Sequence, residues 1–178
     1  MRRFNAEGCV FQNIEDPGRG SFGSAAQWPA LVGFIGLTLL VGAADGVLTQ
    51  PAIRSWYLSL TRPPGTPPNW LFAPVWTALY VMIAVAAWLA WQRPASRRAL
   101  RMWGWLLLVT ALWTPLFFTF HLIGAALAEA VLLVLLGVLT AWRFAHLSRP
   151  AAALMLPFVL WACYAVYLNA GFWWLNPA

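Results

Sequence analysis

Three tryptophans lie where the usual explanation for a Trp-rich chain fails. The chain has 178 residues and 13 of them are Trp. In a membrane protein most indoles sit at the two bilayer interfaces. Trp28, Trp88, Trp91, Trp103, Trp105, Trp142, Trp173 and Trp174 fall near the ends of apolar runs and fit that pattern. Trp76, Trp113 and Trp161 fall deeper, where an indole N–H needs a partner or a cavity. Helical spacing extends each into a stripe: Trp76 with Tyr80, Trp113 with Phe117, Trp161 with Ala165 and Leu168. Three aromatic stripes on three helices, one including a small residue, suit a flat apolar ligand. Core packing produces the same pattern, and spacing does not decide between the two.

Polar groups within the apolar runs are few. Glu129 and Asn169 stand out, and an intramembrane ionisable group marks function by default. Glu129 is near the outer end of its run, so a hydrogen bond to a neighbouring helix is as good a reading as a ligand contact. Asp45 reads as interfacial and solvated, and His121 as an interfacial histidine. The chain contains no P-loop, no HExxH, no paired carboxylates at helical spacing and no Ser/His/Asp set. It also lacks the chain of buried acids used by proton-coupled transporters. This chemistry points to a binder of apolar or amphipathic molecules rather than a hydrolase or pump.

The elements that must position these residues follow from composition. Hydrophobic residues make up 62% and charged ones 9%, against about 25% charged in soluble domains. The chain is therefore an integral membrane protein. A span needs about 20 apolar residues, and five runs qualify: about 28–48, 69–92, 101–121, 123–144 and 150–174. Strand-like alternation does not persist. Backbone groups must be satisfied within each span, so the expected fold is an all-α bundle of five transmembrane helices over residues 28–176. Residues 1–27 read as a mobile tail. The short break near Leu122–Gly124 makes the third and fourth spans an antiparallel hairpin. Gly42 and Gly46 at GxxxG spacing read as packing within the bundle ahead of a homodimer seam. Pro74 and Pro115 fall inside spans and would bend them, opening space between neighbours.

The formal charge of +6 comes from 11 basic residues, all Arg. With five spans, nine arginines share the side of the N-terminus, and only Arg54 and Arg62 lie on the other. The positive-inside rule puts the N-terminus in the cytoplasm, taking the membrane to be a bacterial inner one. Charges at helix ends are explained by orientation, so nucleic acid is not an expected partner. Cys9 and Cys163 form no CxxC or Cys/His spacing, and no metal or cofactor is expected.

The connector between the first two spans, about 49–68, is the longest. Pro63, Pro64, Pro67 and Pro68 stiffen it by fixing φ. From here the chain resembles the TspO/MBR family of tryptophan-rich sensory and translocator proteins, over about residues 28–176. Trp56–Tyr57, Leu60, Arg62–Pro63, Pro67–Pro68, Trp70, Val75–Trp76–Thr77, Leu79–Tyr80 and Met82 follow the pattern WYxxLxKPxxxPPxW…VWTxLYxxM. Arg62 stands where Lys is usual. Trp113, Phe117 and Phe118 match WSxxFF, with Thr114 for Ser. Gly124, Glu129, Pro157, Trp161, Leu168 and Asn169 match positions in the last two spans.

The resemblance implies a five-helix bundle, often homodimeric. Its cavity would open toward the connector and take porphyrins, haem-like tetrapyrroles, sterols or synthetic aromatic ligands. Trp70 and Trp161 would flank the ligand, and Trp76, Tyr80, Trp113, Phe117, Ala165, Leu168 and Asn169 would line the cavity. Three departures narrow this. Gly65 replaces a covering aromatic, Thr110 replaces an Asn, and Ala170 and Trp174 do not complete a sterol-recognition segment. Tetrapyrroles are thus the expected ligand class. The expected function is a membrane receptor or sensor that modulates their level or a downstream response. The alternatives are light- and oxygen-dependent porphyrin breakdown, with Trp70 and Trp161 as redox partners, and a carrier. A carrier needs alternating access, and no inverted repeat is visible.

Overall fold

The computed structural model describes residues 24–177, so most of the expected N-terminal tail lies outside the described residues. Helix α1 spans Ser24–Ile53, α2 Trp56–Ser59, α3 Asn69–Trp91, α4 Arg97–Thr114, α5 Ile123–Ala145 and α6 Arg149–Leu175. A single π-helical turn, Pro115–Thr119, continues α4. Five of these segments are long and apolar enough to cross a membrane. The protein is an all-helical, multi-pass membrane protein with no strand among the described residues.

The bounds of the first and third spans differ from the sequence expectation, the first beginning at Ser24 rather than Trp28. The first span continues to Ile53 rather than stopping at Leu48. Pro51 is tolerated there because only the last turn follows it, and the Ser55 hydroxyl caps its carbonyl at 2.9 Å. The third span starts at Arg97 rather than 101, because its first turn carries arginines that a purely apolar criterion discards. Pro115 acts as expected of an in-span proline. It cannot donate to the ladder, and the next turn widens until Phe120 N–H reaches the Pro115 carbonyl at 2.9 Å.

The long helices form a closed ring. α1 packs on α3, α3 on α6, α6 on α5, α5 on α4, and α4 returns to α1. The ring is unlike at its two ends. At the arginine-bearing end, Ala84, Ala86, Ala87 and Ala90 of α3 are fully buried, with Ala99 of α4 and Ala151 of α6 almost so. Small side chains let helix backbones approach closely. Ile83, Leu106, Phe144, Met155 and Phe158 fill what remains. Trp103 belongs here and not to an interfacial belt: it is buried, and its indole N–H donates to the Ile83 carbonyl at 3.1 Å. It falls on the inward face of an amphipathic helix, which position near a helix end does not reveal. At the other end, aromatic side chains replace the alanines and the helices enclose a hollow.

The ring's outer faces carry Val32, Leu40, Leu108, Leu135, Leu139 and Leu160, all exposed, as lipid contact requires. Trp28, Trp105, Trp142, Trp173 and Trp174 are exposed near span ends, as belt residues should be.

The connector is seated on α6 through Gly171. A Cβ there would lie 2.5 Å from Pro63 Cβ, in a ring that cannot rotate away, whereas a Cβ at Gly46 meets nothing within 4 Å. Gly171→Ala is expected to lower stability by about 1–3 kcal/mol through overpacking. Gly46→Ala should be neutral. Thermal unfolding of both variants in the same detergent checks the difference.

Candidate functional site

The hollow is a cavity of about 420 Å³ at the connector end of the ring, walled by α1, α2, α3, α4 with its π turn, α5 and α6. Its aromatic lining comes from the stripes read in the sequence. Trp76 and Tyr80, one helical turn apart on α3, have ring centroids 5.8 Å apart. Trp113 and Phe117 stack at 5.0 Å with planes 16° apart. Trp161 on α6 meets Phe72 of α3 edge-on at 6.1 Å. Ala165, Leu168 and Asn169 follow Trp161 along the same face of α6 and also line the cavity. Eight of the nine expected site residues are thus brought together.

Trp70 is the exception. It is 72% exposed and does not line the cavity. On α3 the inward residues are Asn69, Phe72, Ala73, Trp76, Thr77 and Tyr80. At 100° per residue, Trp70 points about a quarter turn away from them.

Phe117 also organises the site. It is buried and contacts Trp56, Tyr57, Trp113, Phe118 and Phe172, with centroids 4.9–6.4 Å apart. The π turn that carries it therefore joins α4, α6 and the connector helix α2. His121 sits at the hairpin with φ of 57° and stacks on Trp56 at 4.0 Å. It is exposed and is not part of the cavity wall.

The polar lining is where the sequence reading changes most. Asp45 is not simply a solvated interfacial residue. It lines the cavity, and its Oδ2 accepts a hydrogen bond from the Tyr80 hydroxyl at 2.9 Å. Gly42, one turn earlier, makes room for that ring: a Cβ there would be 2.7 Å from the Tyr80 ring edge. Gly42 thus packs within the bundle, as read from the GxxxG spacing. Asn169 is 1% exposed, and neither its Oδ1 nor its Nδ2 has a protein partner. The Trp113 indole N–H is likewise buried and unpaired. Glu129 is buried behind the cavity, with both carboxyl oxygens unpaired, so the expected hydrogen bond to a neighbouring helix is not made. Buried polar groups normally find partners. Of these side chains Trp113 and Asn169 line the cavity, while Glu129, and Thr140 with its unpaired hydroxyl, do not.

The connector borders the cavity through Tyr57 and is tied down by α6 and the residue that follows it. The Asn176 side chain grips Thr61 at two points, accepting from its N–H at 2.8 Å and donating to its carbonyl at 3.0 Å. The Tyr164 hydroxyl donates to the Gly65 carbonyl at 2.6 Å and the Tyr167 hydroxyl to the Pro64 carbonyl at 3.0 Å. Gly65 has φ of 81°, a left-handed turn that Gly adopts without strain. This turn occupies the place where the family pattern has an aromatic. At the rim, the Arg62 guanidinium lies 5.1 Å over the Tyr57 ring. Burial pushes the Tyr57 phenol up, with the Arg62 charge opposing it, so Tyr57 stays neutral at physiological pH. Sequence reasoning missed Tyr164, Tyr167 and Asn176 because their partners are backbone carbonyls and amides a hundred residues away, which no spacing rule connects.

Comparison with known proteins agrees with this geometry. A model of the TspO/MBR family matches residues 34–175. Tryptophan-rich protein TspO of Chlorobaculum tepidum is 35% identical over 147 residues, covering 80% of this chain and 93% of that one. Protein CrtK of Rhodobacter capsulatus is 33% identical over 138 residues, covering 75% and 85%. The translocator protein of Bos taurus is 32% identical over 154 residues, covering 84% and 91%.

Each connector tie is worth about 0.5–1.5 kcal/mol. The triple variant Tyr164→Phe, Tyr167→Phe, Asn176→Ala is expected to loosen the connector without unfolding the ring. Hydrogen exchange should show the Thr61 and Thr66 amides losing protection about tenfold or more, while amides of α4 and α5 stay unchanged.

Proposed function

The chain belongs to the TspO/MBR family, and on that premise we propose that it is a membrane receptor that binds porphyrin-type tetrapyrroles in the covered aromatic cavity. The observation that carries this reading is the enclosure of Trp76, Trp113 and Trp161 around one hollow. A volume of about 420 Å³ lies toward the lower part of the 300–1,000 Å³ typical of small-molecule sites. A tetrapyrrole would insert one edge and leave the other beneath the connector. Ring stacking and apolar burial supply the affinity. Arg62 and Arg54 at the connector end would meet propionates. The names of the relatives, a tryptophan-rich sensory protein and CrtK among them, are compatible with a sensing role. The photo-oxidative alternative asks Trp70 and Trp161 to share a ligand, and of these two only Trp161 lines the cavity.

The arginine distribution supports a cytoplasmic N-terminus, with the connector and cavity mouth on the opposite side of a bacterial inner membrane. A homodimer through the open face of α1 is compatible with Gly33 and Gly36, at which a Cβ meets nothing within 4 Å.

Titrating the purified protein with protoporphyrin in detergent is expected to give saturable quenching of Trp fluorescence. Trp161→Ala should weaken the apparent affinity about tenfold, or about 1.4 kcal/mol. Trp70→Phe should change it less than about twofold. Linear, non-saturating quenching in the wild type, or an unaltered affinity in Trp161→Ala, would reject the reading.

A further inference from the structure

The cavity has a sign. Among the described residues that line it, Asp45 carries the only formal charge, and no Arg or His reaches in. One Asp45 oxygen accepts from the Tyr80 hydroxyl, and the Thr114 hydroxyl is near enough to share the carboxylate, whose two oxygens still have acceptor capacity left. The second, independent mark of a ligand position is Asn169, almost wholly buried on the cavity wall with its amide unpaired. Its Oδ1 offers a further acceptor.

We propose that the inner wall formed by Asp45, Tyr80 and Asn169 is a subsite for the N–H-donating edge of an aromatic ligand, a protonated amine or a ring N–H, and that it excludes an inward-facing carboxylate. This inference rests on the cavity being an aromatic-ligand site and adds the polarity with which the ligand enters.

Three physical arguments support the assignment. A partly buried carboxylate is costly unless paired, and the hydroxyls of Tyr80 and Thr114 satisfy only part of its acceptor capacity. A ligand N–H supplies what is missing. Indole and phenol faces attract cations most strongly of the aromatic side chains, and Trp76, Tyr80 and Trp113 all border the same space. Bringing a second carboxylate to Asp45 adds like-charge repulsion at low dielectric. The ligand's acidic groups are left at the mouth, where Arg62 is exposed. The cavity thus has an axis, with N–H donors pointing inward and anions outward.

The test compares two probes of one shape. 1-Pyrenemethylamine and 1-pyrenecarboxylate are titrated separately into wild-type protein in a non-ionic detergent, reading Trp quenching and sensitised pyrene emission. The amine is expected to bind about tenfold more tightly than the carboxylate. Asp45→Asn should bring the ratio to within about twofold by weakening the amine and strengthening the carboxylate. Equal binding of the twins by wild type, or a preference that survives Asp45→Asn, overturns the inference and leaves the aromatic-ligand reading intact. Absence of quenching by either twin overturns the inference, and if protoporphyrin also fails to quench, the aromatic-ligand reading falls with it. The wild-type comparison decides the matter even if Asp45→Asn does not fold.

Discussion

Five helices can keep a hollow inside a bilayer only if something stops them collapsing into it. Lipid gives no hydrophobic reward for holding helices apart, and close packing is the default. Here the ring is pinned at both ends of the hollow. Below, the buried alanines of α3, with Ala99 and Ala151, bring the backbones together and fix the helices' relative directions. Above, the proline-stiffened connector is fastened to α6 by Asn176, Tyr164 and Tyr167. Between the two, aromatic rings brace one another edge-on and stacked. Large rigid rings hold a space open because they have few rotamers in which to fold inward.

The polar groups follow from that arrangement. A hollow in a membrane protein lets polar side chains meet atoms from outside the chain, which a packed core does not. Asp45 and Asn169 border the cavity, while Thr140 and Glu129 are buried away from its lining. The Tyr80–Asp45 hydrogen bond marks the boundary between the two regimes. Tyr80 is packed against Gly42 on one side and belongs to the buried core, yet its ring also lines the hollow. The tyrosine thus closes the top of the tight half and starts the open one.

Much of this was legible in the residues. Apolar run lengths set the number of spans, because a bilayer core of about 30 Å admits few alternatives. The depth of Trp76, Trp113 and Trp161 along their runs picked them out, and helical spacing added Tyr80, Phe117, Ala165 and Leu168. What spacing could not see was angle between helices. Trp103 lies near a helix end but faces in, whereas Trp70, which the family resemblance and not spacing had set beside the ligand, is exposed. Asp45 looked interfacial because its position along α1 is near the outer end. Its partner Tyr80 is on another helix, and only the α1–α3 contact brings them together. The connector ties were invisible for the same reason, since backbone carbonyls carry no sequence signature.

Helix α6 has two jobs, and their combination bears on how binding would be felt outside the membrane. One face presents Trp161, Ala165, Leu168 and Asn169 to the cavity. Tyr164 and Tyr167 of the same helix, with Asn176 immediately after its end, hold the connector. A rigid helix cannot shift one set without the other. A ligand alters the connector only to the extent that it binds the fastened and released forms differently. An occupant that wedges against Leu168 or Asn169 meets that condition, because the ties of Tyr164 and Tyr167 are short and directional and a displacement of about 1 Å would break them. A ligand confined to the α3 and α4 walls would leave the ties untouched. For a molecule held in this cavity, pressing on α6 and merely occupying space would differ in their effect on the connector, and the unpaired amide of Asn169 is the group on α6 best placed to make that difference.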